Sequence, residues 1–341
     1  MEIERKKHLV IDVELNLNKN SIGIIGFGNQ AKRIIDVLRV KKIKINTIFV
    51  KNYKNSFKEN KLITSDFKKL KDNKIIFICS PNNSHYHYLN LLYKNRYIFC
   101  EKPPASTKGQ INKLKRINHS RIYYNFNFRF STLAIMLNKS KDYKLGKLLY
   151  GNISWSHGLA SKKKFLTSWR NNKRKTPKGI LEVLTVHFID LINIFLPIKK
   201  ISIDLKKMKN KNSSFVTSYT NITLKNNSKM NIFNSYNAPR EDLKHFIFEN
   251  GSILENEKEI TISGPRDNFD KNGFFIKPKT LKKIKYKKNF SSYEESLKKS
   301  IIFFLEVSMR GNKFSKELSE KSFSSNEIIL GSSSLIKSVD L

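Results

Sequence analysis

The sequence contains few cysteines, few acidic residues and no long apolar segment. Its two cysteines, Cys79 and Cys100, lack the spacing of metal ligands and provide no disulfide framework, which favours a reducing compartment. No apolar run approaches the roughly 18 to 20 residues of a membrane span. Residues 1–13 lack the continuous apolar region of a signal peptide. We therefore expect a soluble protein of the cytoplasm with no membrane partner.

Acidic residues number only 28 against 66 lysines and arginines, which gives a net charge of +38. Such a charge can indicate a phosphate-rich partner, but in nucleic-acid-binding proteins the basic residues usually cluster. Here they are spread along the chain together with many Asn and Ile residues. Lys, Asn and Ile share A/T-rich codons, so we attribute the charge mainly to genome composition and expect no nucleic-acid partner. The positive field would still attract anionic substrates.

The first third of the chain predicts a parallel α/β domain. With 341 residues, of which 39% are hydrophobic, the chain is long and apolar enough for two folded domains. Between residue 21 and about residue 120, short apolar runs alternate with helical stretches, as in strands buried on both faces. We predict a domain of this kind over residues 1–120, with strands at Ser21–Ile25, Ile45–Val50, Lys74–Cys79 and Arg96–Cys100.

Beyond residue 121 the strands become longer and partly alternating, which indicates an open, mostly antiparallel sheet with helices on one face. We predict an α+β domain over residues 121–341. The Lys-rich stretch Lys277–Lys288 is interpreted as a solvated loop or strand edge. The predicted strands are Leu148–Trp155, Phe215–Leu224, Met230–Tyr236 and the pair Phe246–Glu249 with Ser252–Glu255, and the closing helices are Tyr293–Met309 and Ser325–Lys337.

A glycine-rich segment from Gly26 to Ala31 follows the first strand and opens a helix with one apolar stripe. It matches G-x-G-x-x-G/A in the required context. Gly26 permits a tight turn, Gly28 leaves room for a pyrophosphate against the backbone, and Ala31 lets helix and strand approach. The helix N-terminus supplies N–H groups to the phosphates. The motif predicts a dinucleotide site formed by Gly26, Phe27, Gly28, Asn29 and Gln30. The domain over residues 1–120 is therefore predicted to be an NAD(P)-binding Rossmann domain.

The end of the second strand bears on the choice between NAD and NADP, because an acid there accepts hydrogen bonds from the ribose of NAD. The sequence from Thr47 to Lys54 contains no acid. Lys51 and Lys54 would instead meet a 2′-phosphate. The segment therefore favours NADP over NAD, with NAD left open because lysine is abundant throughout the chain.

Two polar segments follow the fourth and fifth strands, at the carboxyl ends where open α/β sheets bind ligands. They are Ser-Pro-Asn-Asn-Ser-His, from Ser80 to His85, and Glu-Lys-Pro-Pro-Ala, from Glu101 to Ala105. With the Gly26 segment they closely resemble the glucose-fructose oxidoreductase/inositol dehydrogenase (Gfo/Idh/MocA) family, which carries (T/S)-P-N-x-x-H and E-K-P segments at these places. The resemblance continues through Trp169, Arg170, Gly179, His187 and Asp190 to the closing helices. It implies that the domain over residues 121–341 binds substrate and mediates oligomerisation, and that its C-terminal helices return to the Rossmann domain.

The resemblance implies a catalytic role for Lys102, which matches the family lysine that orients the substrate and moves the proton of the reacting hydroxyl. A lysine in a desolvated cleft can also have a lowered pKa. Glu101 resembles the glutamate that supports the cofactor. His85 resembles a cofactor-side position, with a structural histidine as the alternative, and Ser84 before it is a predicted N-cap. The resemblance adds these cofactor-binding residues: Ser80, Pro81, Asn82, His85, Glu101 and Lys102.

Helical spacing places Val183, His187 and Asp190 on one face, which would point at the cleft. His187 matches the family histidine that contacts the reacting hydroxyl and serves as general acid or base, with a core histidine as the alternative. Asp190 is expected to complete the catalytic set by orienting or capping His187. Arg129 and Arg170 resemble positions that border nicotinamide or substrate, where arginine suits anionic groups. The predicted substrate-binding residues are Lys102, Arg129, Arg170 and His187.

The sequence departs from the family pattern beside the predicted catalytic histidine. The usual pattern is D-x-x-x-H, yet the residue four before His187 is Val183, and the nearest acid, Glu182, is rotated by about 100° on an α-helix. The usual Gly-Gly-Gly is also reduced to Gly179 alone. Either the site uses a lysine–histidine pair, or it catalyses a different reaction, or catalysis is impaired. We expect no metal, because Glu182, His187 and Asp190 do not share one face.

Taken with the resemblance, these residues predict reversible hydride transfer between a nicotinamide and a carbon bearing a hydroxyl or carbonyl group. The family implies a sugar, cyclitol or nucleotide-linked sugar as substrate, and the positive field favours one that carries phosphate. The alternatives are reduction of an imine or linear tetrapyrrole, a cofactor-binding sensor or regulatory protein without turnover, and a nucleic-acid-binding protein. Because family members commonly pair through an open sheet face, we expect a homodimer or homotetramer.

Overall fold

The computed structural model describes residues 21–52, 61–208, 213–287 and 291–331, together with the backbone of residues 336–340. Two sheets organise the chain, one in its N-terminal part and one in the remainder. Within the described residues, no helix is both long and apolar enough to cross a membrane.

The N-terminal sheet has six parallel strands: β1 (Ile22–Ile25), β2 (Thr47–Phe49), β3 (Ile63–Thr64), β4 (Ile75–Ile78), β5 (Tyr97–Glu101) and β6 (Ile122–Asn125). Their order, β3-β2-β1-β4-β5-β6, is that of the dinucleotide-binding α/β fold and confirms the fold class predicted for this part. Because β6 belongs to this sheet, the sheet continues past residue 120, where we predict the first domain to end.

Helices cover both faces of this sheet. Ile24 and Phe77 pack on the side of the first and seventh helices, whereas Ile76 and Ile98 pack on the side of the second and third. This two-sided burial explains why the strands are apolar without alternation. The helices are α1 (Asn29–Val40), α2 (His85–Leu92), α3 (Lys108–Leu114), α4 (Thr132–Asn138), α5 (Lys163–Leu166), α6 (Val186–Phe195), α7 (Ser292–Met309) and α8 (Lys316–Gly331).

The second sheet has nine strands: β7 (Leu148–Ser156), β8 (Ile198–Lys207), β9 (Phe215–Leu224), β10 (Lys229–Ser235), β11 (Glu241–Phe248), β12 (Gly251–Asn256), β13 (Glu259–Ser263), β14 (Thr280–Lys285) and β15 (Ile336–Asp340). Their order is β14-β13-β12-β11-β7-β10-β9-β8-β15. All neighbours are antiparallel except β7 with β10 and β8 with β15, so the predicted mostly antiparallel sheet is confirmed. Within the predicted Lys-rich stretch, residues 280–285 form β14, the edge strand.

One face of the second sheet belongs to the core and the other is open. Ile153, Ile232 and Phe246 point inward and pack with α4 and α6. Their neighbours along the strands, such as Tyr150 and Ile247, are at least one-third exposed. The partly alternating sequence pattern therefore has its physical cause in one buried and one outer face.

The C-terminal segment differs in part from its prediction. Helix α7 begins and ends within one residue of the predicted helix, and it contacts both α1 and the 3₁₀ turn at Asn127–Phe130. The predicted helix Ser325–Lys337 is wrong at both ends, because α8 begins at Lys316 and ends at Gly331, and residues 336–340 form β15. Glycine and serine have low helix propensity, and the β-branched Ile336 favours a strand.

Candidate active site

A cavity of about 810 Å³ lies between the carboxyl ends of the N-terminal strands and one end of the second sheet. This volume is in the upper part of the range of about 300–1,000 Å³ for small-molecule and cofactor sites. The predicted site residues that line it are Asn29, Gln30, Ser80, Asn82, Glu101, Lys102, Arg170 and His187. The predicted site residues that do not line it are Gly26, Phe27, Gly28, Lys51, Pro81, His85, Arg129 and Asp190.

The turn between β1 and α1 has the geometry that a pyrophosphate requires. Gly26 has a φ of +96°, and a Cβ there would lie 2.9 Å from the carbonyl oxygen of Cys79. Both features require glycine at this position. Gly28 precedes α1, and a Cβ on it would meet no atom within 4 Å. The N-cap residue of α1 is Gly28, which has no side chain to bond the N–H groups of the first turn, so this residue leaves them to an anion.

A hydrogen-bonded network of polar side chains continues from this turn into the cavity. Glu101, at the end of β5, accepts hydrogen bonds from Gln30 Nε2 and Asn125 Nδ2, both at 2.7 Å. The Tyr293 hydroxyl, at the start of α7, donates to Gln30 Oε1 at 3.1 Å. Burial raises the pKa of Glu101, and the nearby Lys102 charge opposes that rise. The network thus connects α1, β5, β6 and α7 at the cavity wall.

Lys102 directly follows β5 and is almost fully buried, with 9% of its surface exposed. Its ammonium donates a hydrogen bond to the backbone carbonyl of Val183. Burial lowers the pKa of Lys102 to about 8; the carboxylates of Glu101 and Glu182 act in the opposite direction, and the Arg170 charge lowers it further. The amine can therefore change protonation state near neutral pH.

His187 lies in the first turn of α6 and faces the same cavity. It is 2% exposed, and within the described part of the chain its Nδ1 has no hydrogen-bond partner. Burial and the charge of Lys102 hold the pKa of His187 well below its usual value, so the imidazole is neutral. A buried ring nitrogen without a partner is costly unless a ligand satisfies it. The structure thus brings Lys102 and His187 together at one cavity.

The segment before His187 is a π-helical turn, Leu181–Thr185, which α-helical geometry did not predict. The Val183 side chain lines the cavity, while its carbonyl accepts from Lys102. Glu182 is buried and accepts a hydrogen bond from the Lys178 backbone N–H at 3.1 Å. Burial raises the pKa of Glu182 to about 7. An acid therefore lies near Lys102, although it does not line the cavity.

Gly179 is the one glycine that this chain retains from the family's Gly-Gly-Gly segment. Its position in the structure requires glycine. Its φ is +53°, and a Cβ would lie 2.1 Å from the carbonyl oxygen of Phe215 on β9. A larger residue would therefore push the π-helical turn away from the sheet.

Asp190 and Arg129 form a buried ion pair outside the cavity. Arg129 Nε lies 2.8 Å from one oxygen of Asp190 and Nη2 lies 2.7 Å from the other. The Ser325 hydroxyl donates to Asp190 at 2.7 Å. The predicted grouping of Asp190 with His187, and of Arg129 with the substrate, is therefore replaced by a bidentate pair that connects α6, α8 and the 3₁₀ turn at Asn127–Phe130. The sequence alone does not show this contact, because the two positions are 61 residues apart.

His85 has a structural position. It is fully buried, and its two ring nitrogens lie 2.8 Å from the Ser80 carbonyl and 2.9 Å from the Pro103 carbonyl. The ring thereby connects the segments that follow β4 and β5 and fixes them beside the cavity. Ser84 occupies the predicted N-cap position of α2, but its hydroxyl makes no capping hydrogen bond and instead contacts the Ser80 hydroxyl and the Pro81 carbonyl.

Several cavity residues are absent from the sequence predictions. Arg33 on α1 lies 5.5 Å from the Tyr293 ring, and both line the cavity. The far wall comes from the second sheet and its loops, through Trp155, His157, Trp169, Tyr236, Arg240 and Tyr286. No local motif identifies these positions, since they meet only when the strand ends converge. In the described residues, no group of three His, Cys, Asp or Glu side chains is placed to hold a metal ion.

A comparison with known protein families finds a match for the N-terminal part of the chain, with the fold that the structure shows there. Residues 20–121 match the family model GFO_IDH_MocA, described as an oxidoreductase family with an NAD-binding Rossmann fold. No curated protein sequence matches the chain.

Solved structures share the fold of nearly the whole chain at low identity. Levoglucosan dehydrogenase in complex with NADH has a TM-score of 0.76 at 16% identity, over 92% of this chain and 97% of that one. KijD10, a 3-ketoreductase from Actinomadura kijaniata in complex with NADP and TDP-benzene, has a TM-score of 0.74 at 14% identity, over 95% and 100%.

Biliverdin reductase from Synechocystis sp. PCC 6803, in complex with biliverdin and NADP+, has a TM-score of 0.73 at 11% identity, over 93% and 98%. These three proteins act on chemically different substrates, so the shared fold leaves the substrate of this chain open. The predicted resemblance is confirmed over residues 20–121, which match the model of the Gfo/Idh/MocA oxidoreductase family with its NAD-binding Rossmann fold.

Proposed function

We propose that this protein transfers a hydride between a nicotinamide cofactor and a hydroxyl- or carbonyl-bearing carbon of a sugar, cyclitol or nucleotide-linked sugar. One observation carries the proposal: Lys102 and His187, two buried groups with lowered pKa, line the same cavity, and the Nδ1 of His187 has no partner within the described residues. The bound nicotinamide would supply or accept the hydride.

The cofactor would enter along the Gly26–Gln30 turn. Its pyrophosphate would accept hydrogen bonds from the free N–H groups at the start of α1. The Gln30–Glu101–Tyr293 network and the Ser80 and Asn82 side chains would hold the part nearer Lys102.

NADP is the preferred cofactor in this proposal. Lys51 is exposed directly after β2, and no acid lies between Val50 and Asn52 to accept from an unphosphorylated ribose. The positive charge of Lys51 suits a 2′-phosphate. Lys54, the second lysine predicted to meet this phosphate, lies outside the described residues.

Proton transfer is assigned to Lys102. In the reductive direction its ammonium donates a proton to the carbonyl oxygen as the hydride arrives, and in the oxidative direction the neutral amine accepts the hydroxyl proton. The Val183 carbonyl orients the amine. The neutral His187 ring holds the same oxygen through its unpartnered nitrogen, which fixes the reacting carbon.

A sensor without turnover is the second candidate, and one observation favours it. Val183 presents an apolar side chain to the cavity where the family carries an aspartate. Such a protein would bind the dinucleotide through the same turn and would not transfer hydride.

Calorimetry and a hydride-transfer assay separate these candidates. We expect NADPH to bind more tightly than NADH, and nicotinamide absorbance to change with at least one member of a panel of sugars, cyclitols and nucleotide-linked sugars. Lys102→Met should retain NADPH binding and lose about 10²- to 10⁴-fold in rate, the usual contribution of a general acid–base. The exposed Lys94→Met variant is the matched control.

Two results would count against the proposal. Tight NADPH binding without turnover of any compound on the panel, by either the wild type or Lys102→Met, would favour the sensor. Turnover of biliverdin alone would favour a tetrapyrrole reductase. If well-folded protein bound neither reduced dinucleotide, both candidates would be wrong.

We propose in addition that copies of this chain pair through the outer face of the second sheet. Tyr150 and Ile247 are exposed there on neighbouring strands, and the tilted rings of Tyr219 and Phe233 lie 5.2 Å apart. An aromatic and aliphatic surface of this kind is typical of a protein interface.

A further inference from the structure

The end of the cavity away from the dinucleotide turn is aromatic; we term it the distal end and define it by Trp155, His157, Trp169, Arg170 and Tyr236. The Trp155 and His157 rings lie 4.9 Å apart, and the His157 and Tyr236 rings lie 5.2 Å apart. Trp169 contributes another ring, under the Arg170 guanidinium. The chain contains two tryptophans, and both lie here. Ring faces of this kind stack on planar groups.

Arg170 is the cation of the distal end that lacks a carboxylate partner. Its guanidinium is half-buried and stacks 4.7 Å from the Trp169 ring. In the ranges that the structure describes, no carboxylate lies within ion-pair distance of it. A guanidinium has five N–H donors in a fork that matches phosphate oxygens. Arg170 therefore presents unused donors to whatever fills the cavity.

The neighbouring charges are already balanced, which isolates Arg170 further. Arg240 lies over Trp155 and pairs with Asp242 at 3.3 Å and with Glu257 at 2.5 Å. Asp242 also pairs with the buried Lys244. The acids on this side of the cavity are thus neutralised by other cations.

We infer that the distal end binds the nucleoside diphosphate part of a nucleotide-linked sugar. This inference rests on the proposed function, since the sugar would then extend from the distal end to Lys102. The diphosphate accepts hydrogen bonds from Arg170, and the base stacks on Trp155 or Trp169, both of which are half-buried, whereas Tyr236 is 4% exposed. A sugar monophosphate would use the guanidinium and leave the rings uncovered. A neutral sugar would leave the guanidinium unsatisfied as well.

Tryptophan fluorescence tests the inference directly, because both tryptophans line the distal end. The protein is first saturated with NADP+, which occupies the dinucleotide turn. It is then titrated with UDP, ADP, GDP, UDP-glucose, glucose 1-phosphate and glucose. We expect at least one nucleoside diphosphate, and its sugar conjugate, to change the emission at a lower concentration than glucose 1-phosphate does, and glucose to be weakest.

Variants locate the binding. Arg170→Met should weaken nucleoside diphosphate binding by about tenfold or more, as loss of a charge-assisted contact does, and Arg170→Lys should restore part of it. Trp155→Phe and Trp169→Phe should each remove part of the emission change. The exposed Arg174→Met variant is the matched control and should bind as wild type does.

Three outcomes would overturn the inference. Glucose 1-phosphate binding as tightly as any nucleotide would show that the rings recognise no base. Nucleotide binding unchanged in Arg170→Met would place the phosphates elsewhere. Nucleotide binding that NADP+ abolishes would assign it to the dinucleotide turn. A failure of hydride transfer is measured separately, so it would refute the proposed function while the nucleotide titration could still succeed.

Discussion

Among single residues, Lys102 has the environment that most directly determines proton transfer. The amine is desolvated, and its pKa reflects a balance between that burial and the carboxylates of Glu101 and Glu182. With a pKa of about 8, it is mostly the ammonium below that pH and mostly the free amine above it. The two directions of the reaction need opposite protonation states, so they should respond to pH in opposite ways.

We therefore predict that kcat/KM for carbonyl reduction falls as pH rises through about 8, and that kcat/KM for alcohol oxidation rises over the same range. Glu182→Gln removes a carboxylate that raises the pKa of Lys102, so both midpoints should move to lower pH. Steady-state rates measured in both directions across this range provide the check. Profiles with the same sign in both directions, or midpoints that do not move in Glu182→Gln, would assign the proton to another group.

Whether a site residue can be predicted from sequence depends on whether it lies in a contiguous motif. The Gly26 turn and Lys102 stand in contiguous motifs, so sequence places them at strand ends and the structure finds them there. Asp190 and Arg129 lie in no contiguous motif. They pair with each other across 61 residues of chain, so neither local segment shows their role. The distal rings were missed for the same reason: Trp155 and Tyr236 become neighbours only when β7 pairs with β10.

At the scale of elements, the Arg129–Asp190 pair connects three segments that surround the site. Its side chains are 8% and 1% exposed, and it joins the 3₁₀ turn at Asn127–Phe130 to α6 and α8. Removing one partner leaves the other charge buried and unpaired, whereas removing both does not. The pair should therefore matter more for folding than for substrate contact.

We predict that Arg129→Met or Asp190→Leu lowers the free energy of unfolding by about 3–5 kcal/mol, and that the double variant is less destabilised than the sum of the two. Urea unfolding monitored by circular dichroism measures this. The exposed Arg39–Asp36 pair, at 75% and 66%, is the control, and Arg39→Ala should cost under about 1 kcal/mol. Additive losses in the double variant, or a loss near the control value, would contradict the buried-pair interpretation.

Strands were predictable from sequence where the same pattern of burial extends along the whole strand. The parallel strands are apolar throughout because both faces are covered, and β7 and β9 have their predicted positions because one face is open. The π-helical turn at Leu181–Thr185 was not predictable, since apolar spacing of three and four residues fits α- and π-helix alike. The rotation argument against Glu182 assumed an α-helix and therefore does not describe the observed turn.

At the scale of the whole molecule, the outer sheet face stands out from a chain with 66 basic residues. Two adjacent cross-strand rows contain neither lysine nor arginine, and the registers of β9, β10, β7, β11 and β12 place their members side by side. The members of these rows are Tyr219, Phe233, Ser154, Leu243, Asn221, Asn231, Asn152, His245 and Leu254. Lysines border these rows, since Lys206 Nζ lies 5.4 Å from the centroid of the Tyr219 ring and Lys229 pairs with Tyr150 in the adjoining row. Two chains of charge +38 that meet through this face therefore depend on salt to screen their repulsion.

We predict that the protein is a dimer or tetramer and that Leu243→Lys combined with Ile247→Lys dissociates it, because each copy would bring added positive charge to the contact. Sedimentation velocity over a range of protein concentrations measures the change. Val40→Lys, at an α1 position that is 71% exposed and far from this face in the fold, is the matched control. Since like net charges repel and salt screens them, added salt should strengthen association of the wild-type protein. A monomeric wild type, an unaffected double variant or an oligomer that salt dissociates would each exclude pairing through this face.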